Sequence, residues 1–118
     1  MNAIDISYVS SRVEQDFTDY DRMKRKIGNY ETRAAKKRMD QIKAAISFYE
    51  YLILKLGNPH RLRGNLSDRY AVSITDNIRL IIKPLCENLN PDTLKSCNEI
   101  EVKGVVKYHE GKEEWLIP

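Results

Sequence analysis

Two histidines and a tyrosine are the residues of this chain best suited to acid–base chemistry. His60 precedes two predicted strands, and Tyr108 and His109 end the last predicted strand. A histidine titrates near neutral pH, so it can take or give a proton. With arginines to stabilise charge on phosphorus, such a set suits metal-independent cleavage of an RNA phosphodiester, in which a base removes the 2′-hydroxyl proton and an acid protonates the leaving oxygen.

Arginines flank and occupy the predicted strands that follow His60, and a guanidinium binds phosphate oxygens with paired N–H groups. We therefore predict a catalytic set made of His60, Arg79, Tyr108 and His109. We predict RNA contacts from six further basic residues, which are Arg61, Arg63, Arg69, Lys107, Lys36 and Lys37. A structural interpretation stays open, in which His60 is a loop residue, Arg79 pairs with Asp68 or Asp76, and Tyr108 only packs in the sheet.

The charge distribution supports an anionic partner. The 118 residues carry a formal net charge of +3, and the basic excess is uneven: residues 1–83 hold 16 basic and 10 acidic side chains, and residues 84–118 hold 4 and 7. A basic first two-thirds is compatible with nucleic-acid binding, and equally with a solvated basic helix face.

Other chemistries are poorly supported. The possible metal ligands His60, Cys86, Cys97 and His109 lack the close spacing of a zinc site, and the chain has no nucleophile-elbow motif and no glycine-rich phosphate loop. We expect no metal and no cofactor. No apolar run is long enough to span a bilayer and no secretion signal begins the chain, so we expect a cytoplasmic protein with no membrane partner and reduced cysteines.

The order of predicted strands and helices along the sequence indicates one α+β domain over 1–118. Its helices are expected to pack on one face of a mostly antiparallel sheet. Apolar and polar side chains alternate over residues 3–9, which predicts a strand. A helix capped by Ser10 or Ser11 is expected to run to about residue 26, and Gly28 to stop it. A second helix is expected from about residue 30 to 56, with an apolar stripe formed by Ala35, Met39, Ile42, Ile46, Tyr49 and Ile53.

The second half of the chain predicts the rest of the sheet. Residues 69–75 and 78–84 form a predicted hairpin with Asp76 and Asn77 as a two-residue turn. A polar loop is expected over 86–98 and a further strand over 99–109. The last residues are expected to form a tail that docks through Trp115 and Leu116.

Three segments in this order carry a resemblance to a known family. "GNYETRAAKKRMDQIKAA" looks like its second helix, and "HRLRGNLSDRYAVSITDNIRLIIKP" resembles its His-x-Leu-Lys-Gly segment and the hairpin whose second strand carries an arginine. "VKGVVKYH" resembles its closing strand, which ends in Asp-Tyr-His. The chain is thus similar, over nearly its whole length, to the RelE/ParE superfamily of bacterial type II toxins, most closely the HigB branch of plasmid-maintenance killer proteins.

The resemblance implies a translation inhibitor that cleaves mRNA in the ribosomal A site and is neutralised by a cognate antitoxin with a helix-turn-helix domain. By position it implies functional roles for His60, Arg63, Arg79, Tyr108 and His109. Two residues depart from the family pattern. Arg63 replaces a lysine, and Lys107 replaces the acidic residue before Tyr-His, which reverses a charge.

Two other functions stay open at this point. The same superfamily includes ParE-type toxins that resemble these proteins in fold but act on DNA gyrase without needing the histidines. A degenerate toxin that only binds is the other alternative. Its basic helix face, with Lys36, Lys37 and Arg38, would then contact an acidic antitoxin segment or ribosomal RNA.

Overall fold

A six-stranded sheet forms the body of the protein in the computed structural model, which describes residues 3–118. Its strands are β1 (Asp5–Tyr8), β2 (His60–Arg61), β3 (Tyr70–Ser73), β4 (Ile78–Pro84), β5 (Glu99–His109) and β6 (Lys112–Ile117). The order is β1-β5-β4-β3-β2, and β6 pairs with the same edge of β5 as β1 does. Only β1 and β5 are parallel, which confirms the predicted mostly antiparallel α+β architecture.

Within residues 3–118, five helices accompany the sheet: α1 (Ser11–Thr18), α2 (Tyr20–Ile27), α3 (Asn29–Ala44), α4 (Phe48–Leu54) and α5 (Pro91–Lys95). A 3₁₀ turn covers Gly64–Leu66. No helix among residues 3–118 is long and apolar enough to cross a bilayer.

The prediction of one helix from residue 11 to 26 is wrong, because the chain breaks at Asp19. Asp19 has extended backbone angles, and its carboxylate accepts from the backbone N–H groups of Asp21 and Arg22 at 3.0 and 3.2 Å. This side chain caps the start of α2 and so favours two short helices over one. Ser10 caps α1 and Gly28, with φ of 101°, ends α2, as predicted.

The prediction of a single helix from 30 to 56 is also wrong. α3 ends at Ala44, and Ser47 starts α4 by accepting from the N–H of Glu50 at 3.1 Å. The Glu50 carboxylate in turn accepts from the N–H of Ile46 at 3.0 Å, which is a reciprocal cap.

The helix break divides the predicted apolar stripe. Ala35, Met39 and Ile42 are buried as expected, whereas Ile46 is 71% exposed and Ile53 is 58% exposed. Because α4 begins in a new direction, it buries Phe48 and Tyr51, which the stripe did not include.

The predictions for the turns and the chain end also need correction. β3 ends at Ser73 and β4 starts at Ile78, so the turn has four residues, and neither Asp76 nor Asn77 has a positive φ. The predicted loop 86–98 contains α5. The predicted tail is a paired strand, β6, in which Leu116 is partly buried against the core but Trp115 is 41% exposed.

The two faces of the sheet differ in what covers them. The face toward the helices, here called the helix face, packs Val72, Leu80, Val102 and Val105 against helical residues such as Ala35, Ile42 and Phe48. The opposite face, here called the open face, has a buried cluster of Ala71, Ile81 and Val106, against which the partly buried Leu62 and Tyr108 pack. The main core therefore lies between helices and sheet, and the open face is free to present polar side chains.

Candidate active site on the open face of the sheet

Arg79 and Tyr108 lie together on the open face. Arg79 stands opposite Val106 in the β4–β5 pair, and directly opposed residues share a face. Tyr108 follows two residues later in β5 and packs on the same apolar cluster as Val106. One strand spacing and two residues of rise separate the Cα atoms of Arg79 and Tyr108 by about 8 Å. The sheet thus brings together two of the four predicted catalytic residues.

Main-chain carbonyls hold the guanidinium of Arg79. Its Nη1 donates to the carbonyl of Thr75 at 2.6 Å and to the carbonyl of Ile78 at 3.3 Å. The structural interpretation that paired Arg79 with Asp68 is wrong, since Asp68 lies 3.7 Å from Arg69 and 3.4 Å from Lys83. Both hydrogen bonds use Nη1, so within residues 3–118 the Nε and Nη2 groups remain for an anion.

The environment of Tyr108 keeps its phenol protonated. Burial raises the pKa of Tyr108 above its ordinary value of 10.0, the negative charge of Glu113 and a hydrogen bond to it raise the pKa further, and the charge of Arg79 lowers it. At neutral pH the phenol is therefore a hydrogen-bond donor. The two charged neighbours also show that Glu113, Tyr108 and Arg79 are close enough to interact.

The structure does not bring the two histidines into the Arg79–Tyr108 pair. His60 stands opposite Ala71, so it shares the open face, and its Nδ1 lies 3.3 Å from the carbonyl oxygen of Asn58. Counting strands and residues puts its Cα about 12 Å from that of Arg79 and roughly 20 Å from that of Tyr108.

His109 is adjacent to Tyr108 in β5 and stands opposite Lys112. Because side chains alternate along a strand, it belongs to the other face of the sheet from Tyr108. Within residues 3–118, no three His, Cys, Asp or Glu side chains lie together in a way that could hold a metal ion.

The basic residues predicted to contact RNA are dispersed. Arg61 stands opposite Tyr70 and its Nε donates to the carbonyl of Ser67 at 2.5 Å, and Arg63 is exposed just before the 3₁₀ turn. Arg69 extends the open face beyond Ala71, where it neighbours Asp68. Of this hairpin set, only Arg69 shares the open face with Arg79.

The lysines of the predicted RNA-binding set lie away from Arg79. Lys36 and Lys37 are exposed on α3, which packs on the helix face, and the Nζ of Lys36 lies 5.7 Å from the ring centre of Tyr20. Lys107 stands opposite Ile78 in β4 and Glu114 in β6, so it alternates with Tyr108 and belongs to the helix side. The reversed charge at Lys107 is therefore not beside the phenol of Tyr108.

Sequence reasoning does not find two residues of the open face, because it predicts a tail where β6 forms. Glu113 stands opposite Tyr108 and Trp115 stands opposite Val106, so both share the face of Arg79. The glycine at position 111 between two alternating segments is the sequence signal for a hairpin here. In the structure Glu110 and Gly111, with φ of 50° and 74°, form its two-residue turn.

β6 is held tightly against β5. An added Cβ at Gly104, which has a φ of 148°, would collide with the backbone carbonyl of Ile117. Ile117 itself is fully buried and stands opposite Val105. β6 is therefore part of the packed sheet, and it presents Glu113 and Trp115 in a fixed register.

A comparison with solved structures agrees with this architecture. The structure titled "The structure of YoeB dimer from Staphylococcus aureus" is similar, with a TM-score of 0.53 and 17% identity, over 91% of this chain and 98% of that chain. The chain has a YoeB-like fold. An identity this low shows the fold and not the activity. No family model and no curated protein matches the chain, so its membership of the HigB branch stays a prediction.

Proposed function

We propose that this protein is the toxin of a type II toxin–antitoxin system and cleaves mRNA on the ribosome without a metal ion. The observation that carries the proposal is the open face, where Arg79 and the protonated phenol of Tyr108 lie side by side on an uncovered sheet. The YoeB-like fold and the three family-like segments support the same function.

Arg79 is the residue we expect to matter most. A guanidinium with unused N–H groups can bind the scissile phosphate and stabilise the charge that develops on it during cleavage. Tyr108 is expected to stack on or orient a nucleotide, and its donor hydroxyl can bind an oxygen of the substrate. Arg63 remains a proposed phosphate contact from the exposed end of the hairpin.

The ribosome is part of the proposal because the protein's own site is sparse. His60 is distant from the Arg79–Tyr108 pair and His109 belongs to the other face of the sheet, so free RNA would rarely adopt a reactive geometry there. A ribosome that fixes the mRNA in an attack-ready conformation would supply the missing orientation. On this view the histidines act only if the ribosomal complex brings them to the substrate, and their roles as acid or base stay predictions.

The basic face of α3 is proposed as a binding surface. Lys36 and Lys37 are exposed on the far side of the sheet from Arg79, so they can contact a partner while the open face holds mRNA. Ribosomal RNA or an acidic segment of a helix-turn-helix antitoxin would complement their charge.

The second candidate function is inhibition without RNA cleavage, either of DNA gyrase or by binding alone. The observation that favours it is the separation of the histidines, since neither lies beside Arg79 and His109 alternates to the other face. In this case the open face would be a docking surface whose charges select the partner.

Expression in growing bacteria, followed by mapping of mRNA 5′ ends by primer extension, tests the proposal. The wild-type chain is expected to arrest growth and produce cuts within translated messages. Arg79→Ala is expected to abolish both, whereas the control Arg12→Ala, which removes one exposed arginine from α1, is expected to retain them.

Growth arrest with intact mRNA would contradict the proposal, and arrest accompanied by DNA breaks would assign gyrase as the target. Cuts that persist in Arg79→Ala would leave RNA cleavage standing but remove Arg79 from the site. Circular dichroism of the purified variants is the control for folding.

A further inference from the structure

The family-like pattern calls for an acidic residue beside the final tyrosine, and position 107 holds a lysine instead. The sheet supplies a carboxylate by another route. Glu113 in β6 stands directly opposite Tyr108 in β5, and opposed residues of an antiparallel pair have Cβ atoms about 5 Å apart. A carboxylate therefore lies beside the phenol, although it comes from a different strand.

Two other carboxylates near this face are already paired with basic side chains. Asp68 lies within 4 Å of both Arg69 and Lys83, and the Glu101 carboxylate pairs with Lys103 at 2.5 Å. Glu113 forms no ion pair within residues 3–118 and is exposed to solvent. Its neighbour on this face is the Tyr108 phenol and not a basic side chain, so its negative charge is not neutralised by an ion pair.

The spacing between Glu113 and Arg79 suits a phosphodiester. Two strand spacings and two residues of rise separate their Cα atoms by about 12 Å. Side chains stand roughly perpendicular to a sheet, so both groups rise from the open face with Tyr108 between them, and a phosphodiester that lies on this face can contact both. The indole of Trp115 lies on the same face opposite Val106, where its exposed part can stack on a base.

We propose that Glu113 is the catalytic base of this site, and that it removes the proton of the ribose 2′-hydroxyl while Arg79 binds the adjacent phosphate. The inference rests on the proposed function, RNA cleavage, and deepens it by naming a base that comes from β6. It also gives the lysine at position 107 a simple explanation, because the carboxylate is provided from the opposite strand.

The step is a transesterification in which atoms and charges balance. The 2′-hydroxyl proton passes to the Glu113 carboxylate as the 2′-oxygen forms a bond to phosphorus. The bond from phosphorus to the 5′-oxygen then breaks, and the leaving 5′-oxygen takes a proton from solvent. The products are a 2′,3′-cyclic phosphate and a 5′-hydroxyl end, and Glu113 returns its proton to solvent.

Single-turnover cleavage of mRNA in a programmed ribosome complex tests the inference with the full-length chain. Glu113→Gln keeps the shape and removes the charge, and we expect it to slow cleavage by about 100-fold or more, the usual contribution of a general base. Glu114→Gln is the matched control. It makes the same change at the next residue, on the other face, and is expected to cleave at the wild-type rate.

Two further measurements separate a catalytic base from a structural residue. The fluorescence of Trp115, the single tryptophan of the chain, reports binding of a short single-stranded RNA, and we expect equal quenching in wild type and Glu113→Gln. A substrate with sulfur in place of the scissile 5′-oxygen has a leaving group that needs no protonation. This substrate would rescue the loss of an acid but not the loss of a base, so we expect no rescue of Glu113→Gln.

The outcomes are distinguishable. If wild type cleaves and Glu113→Gln cleaves equally fast, the inference is overturned and the proposed function stands. Rescue by the sulfur substrate would move Glu113 to the leaving-group side and overturn its assignment as base. If wild type itself fails to cleave in the programmed ribosome complex, the proposed function fails and the inference fails with it.

Discussion

Arg79 and Leu80 are neighbours in β4, yet Leu80 is fully buried beneath the helices and Arg79 is partly exposed on the open face. The same alternation runs through β5, where Val105 faces the helices and Val106 faces away. The helix face holds most of the apolar core, and the open face holds a cluster of only three buried residues. The main core and the proposed chemistry thus lie on opposite sides of one sheet.

This division explains how the open face can carry charge. Helices α1 to α4 pack on one side and bury enough apolar surface to support the fold, so the other side does not need a second apolar layer. Substitutions on the open face should therefore alter function more than stability.

The first prediction compares the two neighbours in β4. Leu80→Ala leaves a cavity under the helices and should lower the free energy of unfolding by about 2–5 kcal/mol. Arg79→Ala removes hydrogen bonds to two carbonyls at the sheet end and should cost about 1 kcal/mol. Urea unfolding of both variants measures the contrast, and equal losses would show that the two faces contribute alike.

The second prediction concerns Asp16, a buried charged residue within the mostly apolar packing on the helix side. Asp16 is completely buried and pairs with Arg22 at 3.2 Å and with Lys26 at 2.7 Å. Asp16→Ala should lower the free energy of unfolding by about 1–3 kcal/mol, less than for a fully buried pair, because both cations are partly exposed and regain water. Thermal unfolding measures it, with the exposed Asp40→Ala as a control expected to change little.

The third prediction is a pH dependence that arises from the helix face. Burial raises the pKa of Tyr51 from 10.0 to about 12, although the charge of Arg38 opposes the shift, so folding favours the neutral phenol. The contribution of Tyr51 to the free energy of unfolding is complete below pH 10 and is lost as pH rises from 10 to 12. At pH 11 the loss is about 1.4 kcal/mol.

Urea unfolding at pH 8 and pH 11 tests this contribution. Tyr51→Phe cannot ionise, so it should lose about 1.4 kcal/mol less than wild type over that interval, while the other titrating groups act equally in both. An identical decline in the two proteins would show that Tyr51 does not resist ionisation in the folded state.

The fourth prediction is the smallest effect and concerns the open face. Glu113 is exposed and lies at an edge strand, so Glu113→Gln should change the free energy of unfolding by less than about 0.5 kcal/mol. Urea unfolding beside Glu114→Gln measures it. A clearly larger loss would mean that any effect of Glu113→Gln on cleavage reflects the fold.

The strands were the most predictable part of the fold. Alternating patterns give β4 over 78–84 and β5 over 99–109 with the observed bounds, because one or both faces of these strands are buried. The helix breaks at Asp19 and Ser47 were not predicted, since the apolar period continues across them. A single capping side chain decides each break, and its weight depends on tertiary packing.

The candidate site was only partly predictable for a related reason. Arg79 and Tyr108 were expected together, and the register brings them together. The alternation of side chains along a strand already places His109 on the other face from Tyr108. The sequence alone therefore suffices to exclude His109 from the face that carries Tyr108. Glu113 could not be assigned without the β5–β6 register, which depends on the turn at Glu110 and Gly111.

The parallel pairing of β1 with β5 has a consequence for how this chain folds during synthesis. Asp5 stands opposite Glu99, so β1 has no strand partner until more than ninety further residues have been made. Contacts this distant in sequence close late and slow the folding of a sheet. The nascent chain can form its helices early, but the sheet edge that holds β1 and β6, and with it the open face, is completed only when the last strands are made.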